Sequence, residues 1–138
     1  MASDPQRVAA TRGWLVKATE DLRASRALLE LTEPLEALAG YHAQQAAEKA
    51  LKGFLTWHDV VFRKTHDIEE LVLQCATVDA SLPAAIGHEA LELSPLSWQS
   101  RYPDEAGGTE ASEMVAAARV AQRVFDEVVV RLAPEVAP

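Results

Sequence analysis

Between Met114 and Leu132, the residues Met114, Ala118, Ala121, Phe125, Val128 and Leu132 recur at steps of four and three, the period of one face of an α-helix. Val115, Val124 and Val129 widen that face. One neighbour cannot cover so broad a stripe, so the helix must pack against at least two others, which commits the chain to a helical assembly. The other segments agree with this. From about Thr11 to Leu31, Trp14, Ala18, Leu22, Ser25 and Leu29 mark a similar face. Ala and Leu are abundant and runs of β-branched residues are scarce, as an all-α chain requires.

Pro34 is tolerated in a first helical turn, where its missing N–H costs nothing, and a second helix is predicted from there to Trp57. Thr65 or Asp67 caps a third, with Asp67 and Glu70 at capping-box spacing before Leu71-Val72-Leu73; it ends near Val78 or Asp79. Ser81 caps a short segment with Pro83 in its first turn, which runs to about Leu93, is interrupted by Gly87 and is closed by Pro95. A loop from Ser94 to Gly108 precedes the last helix, which Thr109 caps and whose positive end Glu110 and Glu113 favour. Met1 to Gln6 and Pro134 to Pro138 are expected to fray. The expectation is an all-α fold: an antiparallel four-helix bundle with an extra short helical segment, one domain over residues 1–138 with its core at about 12–132.

A chain of 138 residues and 15.0 kDa can bury roughly 68% of the surface its unfolded form exposes, so no metal or disulfide staple is needed. The single Cys75 cannot form an internal disulfide and reads as a small buried residue in a reducing compartment. The N-terminus lacks a basic start followed by an apolar core, and no apolar run approaches the ~18 residues of a membrane span. A cytoplasmic, membrane-free protein is expected. The net charge of −8 excludes general binding to a polyphosphate backbone, which depends on many Lys and Arg contacts. Between Lys49 and Lys64, however, Lys49, Lys52, Arg63 and Lys64 stand against the single acidic Asp59. That local excess suits a small anion or a short stretch of RNA.

The polar residues concentrate from Tyr41 to Asp67. On the second helix Tyr41, Gln45, Glu48 and Lys52 follow one another at i, i+4, i+7 and i+11 along one face, with His42 and Lys49 on the adjoining one. Either this is a solvated face laced by Glu48 and Lys52, or it is the wall of a groove. Its continuity with Arg63, Lys64, Thr65 and His66, just before a helix N-terminus that favours anions, argues for the groove. His66, with Arg63, is the one candidate for acid–base catalysis. Arg101-Tyr102-Pro103-Asp104 offers a guanidinium fork and a stacking ring, or else an ion pair and a plug at the bundle end. Metal-ligand spacings and Gly-rich phosphate loops are missing, so neither metal nor cofactor is expected.

Four pieces taken in order, Trp14-Leu15 with Lys17-Ala18 and Asp21-Leu22, the run Tyr41 to Lys52, Lys64-Thr65-His66-Asp67-Ile68, and Arg101-Tyr102-Pro103-Asp104, resemble the prokaryotic HEPN domain over about Arg12 to Leu132. The resemblance implies a helical bundle, a homodimer and nucleotide or RNA binding. It also implies a minimal nucleotidyltransferase partner encoded nearby, in toxin and antitoxin modules. Many members of that family are metal-independent ribonucleases with an Arg followed, after four to six residues, by His. This chain departs from the pattern: Arg63 and His66 enclose two residues, no His follows Arg101, and Lys52 and His58 have the gap without the Arg. The implied ligand-binding set is Gln45, Lys49, Lys52, Lys64, His66, Arg101 and Tyr102. A dimeric binding module is the leading reading. A ribonuclease with a non-standard Arg/His site and a structural dimer without ligand are the alternatives.

Overall fold

The computed structural model describes residues 2–99 and 111–138. Among the described residues six α-helices follow in order: α1 Pro5–Glu30, α2 Glu36–Trp57, α3 Ile68–Ala76, α4 Leu82–Ile86, α5 Leu96–Gln99 and α6 Ala111–Val129. Short 3-10 turns span His88–Leu93 and Pro134–Val136. Among the described residues there is no strand, as the sequence pattern requires.

Residues 31–35 fold α1 back on α2 as an antiparallel hairpin, with the Leu35 amide donating to the Leu28 carbonyl at 3.1 Å. α2 is the central element and contacts α1, α3, α5 and α6. It can serve so many neighbours because small residues alternate around it. Ala39, Gly40, Ala43, Ala46, Ala47, Ala50 and Gly53 are all buried and let the other helices approach closely. At Gly53 an added Cβ would lie 3.3 Å from the Leu15 side chain and from the Trp14 Cβ of α1, and at Gly40 it would collide with the Met114 sulfur of α6. Leu15, Leu51, Phe54, Leu55, Ile68, Leu71, Leu82, Ile86, Val124 and Val128 belong to one continuous apolar core.

Several boundaries differ from the sequence reading. α1 begins at Pro5 instead of near Thr11, because the Asp4 carboxylate accepts from the Gln6 amide at 3.0 Å and Pro5 takes the first helical position. The C-terminus does not fray either: Val136, only 1% exposed, closes the core from a turn that packs on α1. α3 stops at Ala76, and Asp67 caps it through the Glu70 amide at 3.3 Å, while Thr65 holds the preceding turn. Ser81 makes no cap; its hydroxyl and amide both turn back to Asp79. Gly87 breaks the helical run at φ 88°, a conformation side chains disfavour. The segment after Pro95 contains α5 where only loop was expected. On α6 the buried seam is Met114, Ala117, Ala121, Val124 and Val128, continued by Leu132 just beyond the helix, so the helix is rotated slightly from the predicted face and Phe125 sits at its edge. The predicted cap Thr109, Glu110 and the pair Arg101 and Tyr102 lie outside the described residues. No helix among those described is long and apolar enough to cross a membrane.

Candidate functional site

α2 carries its polar residues inward. Glu48 is 3% exposed and Lys52 7%, so they form neither a solvated face nor an open wall. Burying a carboxylate this deeply is costly unless it is paired and hydrogen-bonded, and here both oxygens are engaged. Glu48 Oε2 accepts from Lys52 Nζ at 3.1 Å, and Oε1 accepts from Gln44 Nε2 at 3.3 Å and lies 2.6 Å from His66 Nδ1. Gln44 Nε2 also reaches the His66 carbonyl at 3.2 Å, and its Oε1 accepts from Gln45 Nε2 at 2.7 Å. Lys52 lies 5.7 Å from the Trp14 ring centroid and 5.9 Å from that of Phe62, two rings packed edge to face. The network ties the segment before α3 to the centre of the bundle.

At the surface end of this network the His66 side chain is 55% exposed. Its Nδ1 is held by the buried Glu48 carboxylate, which orients the ring and leaves Nε2 as the nitrogen available to a ligand. Beside it Lys64 is exposed, with no ion-pair partner among the described residues.

On the neighbouring strip of α2 a second carboxylate organises a smaller group. Asp21 of α1 accepts from Lys49 Nζ at 2.6 Å and lies 2.8 Å from His42 Nδ1, and the Tyr41 ring stands edge-on to His42. Arg63, expected beside His66 as a catalytic partner, instead clamps Glu70 through Nε and Nη2 at 2.6 and 3.0 Å. That hydrogen bond raises the Arg63 pKa above its ordinary value and lowers that of Glu70. The fork is therefore occupied. The end of α3 is less open to an anion than the sequence implies, since the Ile68 amide donates to Ser94 Oγ at 3.0 Å and the cap position is itself a carboxylate, Asp67. Among the described residues no group of three or more His, Cys, Asp or Glu is placed to hold a metal.

Of the seven residues expected to bind ligand, Lys64 and His66 are surface groups. Gln45 and Lys52 are structural parts of the buried network, and Lys49 is paired with Asp21. The sequence reading missed Asp21 as a hub. The signal was available: Asp21 adjoins Leu22 in the apolar stripe of α1, and a charge in such a stripe demands a buried partner.

The sequence model of the HEPN domain matches residues 11–132, nearly the whole described bundle. The chain belongs to the HEPN domain family. The crystal structure of TT1696 from Thermus thermophilus is similar to this HEPN domain at a TM-score of 0.77 and 30% sequence identity, with 88% of this chain and 98% of that chain covered. A search of curated protein sequences returns no match.

Proposed function

We propose that this HEPN domain is a dimeric module that binds a nucleotide or short RNA and works with a minimal nucleotidyltransferase in a toxin–antitoxin type system. The carrying observation is the Glu48 network, which fixes an exposed imidazole, His66, two residues along the chain from Lys64, which is exposed and has no ion-pair partner among the described residues. An exposed ammonium two residues along the chain from an oriented imidazole suits a phosphate group. Calorimetric titration of ATP, GTP and short RNAs tests the ligand. Binding is expected to weaken at least tenfold in Lys64→Ala at unchanged thermal stability, and likewise in His66→Ala, whose melting temperature also falls because Glu48 loses a partner; no heat from any of the ligands overturns the reading. Co-purification with a nucleotidyltransferase encoded beside the gene tests the partner.

One observation favours a second reading. A buried carboxylate behind an exposed imidazole is also how acid–base catalysts orient a histidine. On this reading the domain is a metal-independent ribonuclease that lacks the family's usual Arg and His pair. It predicts RNA cleavage in the presence of a chelator that is lost in His66→Ala; cleavage that survives the substitution excludes it.

A further inference from the structure

Two grooves of opposite charge run along the two sides of α6. One, about 490 Å³, has Leu93, Leu96 and Met114 in its wall, and its ionisable residues are Glu89, Glu92 and Glu113. The other, about 450 Å³, lies between α6 and α1, is floored by Leu29, Val115 and Ala118, and carries Arg26 and Arg119 against the single Glu30. None of these three glutamates or two arginines has an ion-pair partner among the described residues. The exposed ridge between the grooves carries Ser112 and Ala116, with the longer Arg119 and Arg123 farther along the same face.

We infer that the outer ridge of α6 and its two grooves form the interface with a second copy of this chain, related by a twofold axis running along α6. The charges choose the axis. Rotation about a line parallel to the helix lays the acidic groove of each copy over the basic groove of the other, whereas an axis across the helix would set acid on acid. The levels along the helix agree. Glu89 and Arg123 both border the space a Gly87 Cβ would take, and Arg26 hydrogen-bonds Gln122, so Glu89 and Arg26 sit at the same height on opposite flanks. An axis along α6 preserves height and brings them together. This inference rests on the dimeric reading above and gives it a surface.

Sedimentation velocity at about 0.1 M salt separates the two claims. The wild type is expected at twice 15.0 kDa. Glu89→Lys with Glu92→Lys, and separately Arg26→Glu with Arg119→Glu, are each expected to lose the dimer while keeping wild-type circular dichroism. An equimolar mixture of the two variants should recover it, because each then offers to the other the charge it lacks. A monomeric wild type overturns the dimer itself. Variants that stay dimeric, or a mixture that stays monomeric, overturn this interface.

Discussion

Glu48 and Lys52 show how a single pair of residues can carry a fold. Their i, i+4 spacing reads from sequence as an exposed helical ion pair contributing ~0.3–0.5 kcal/mol. Burial changes its energetics. Removing one partner strands the other's charge in the core, so Lys52→Ala is expected to lower unfolding stability by about 3–5 kcal/mol, whereas Glu48→Gln with Lys52→Met should cost much less than the two single changes combined. Urea titration of the cycle measures this, and additive losses would show that the two are uncoupled. Thr11 makes the opposite case. Its hydroxyl is fully buried on α1 without a hydrogen-bond partner among the described residues, so the nearly isosteric Thr11→Val should stabilise by ~1 kcal/mol, read as a higher melting temperature. Cys75 is buried with its thiol on the Leu51 carbonyl, and burial pushes its pKa up to about 12. It should resist alkylation at pH 8 in the fold and react promptly in denaturant. The sequence exposed the identity of all these groups but not their depth, because a polar stripe on one helix has the same period whether water or another helix covers it.

At the scale of elements, the helices other than α5 were readable because each carries either a long apolar period or a chemical stop; α5, four residues long, carries neither. Their ends were readable only where a cap is unambiguous: Asp67 was found from its spacing to Glu70, while Asp4 was passed over because no apolar repeat begins until later in α1. The rotation of α6 escaped the sequence for a different reason. Phe125 outranks Val124 by size, yet Val124 is the fully buried one, in a core whose central helix α2 is lined with alanines and glycines that hold its neighbours close. That closeness can be tested at Gly53. A larger residue there must displace Leu15 or part α1 from α2, so Gly53→Val should destabilise by about 1–3 kcal/mol despite the entropy a glycine costs. Unchanged stability would mean that the two helices can separate freely.

Across the whole molecule the acidic balance makes pH the natural probe, since stability shifts wherever folding moves a pKa. The hydrogen bond from the Ser81 hydroxyl, then the Ser81 amide and Arg131, hold Asp79 below its ordinary 3.8, and the bond from Arg63 holds Glu70 below 4.5. A lowered carboxylate contributes stability above its unfolded value and loses it as pH falls through the folded one. His58 acts at a higher pH. Burial, then the Arg7 guanidinium, pull its imidazole below 6.5 against the opposing pull of Asp79. The unfolded chain therefore takes up that proton first, and stability begins to fall once pH drops under 6.5. The urea midpoint should thus decline in two stages, a shallow one starting near pH 6.5 and a steeper one below about 4. His58→Gln should remove the first stage and leave the second. Arg131 also bridges from Asp79 to Glu127, fastening the turn after α3 to the end of α6. Arg131→Met should therefore lower the midpoint at pH 7 and flatten the acid stage, because Asp79 then has less to lose on protonation. An acid stage equally steep in that variant would show that Arg131 does not couple these two elements.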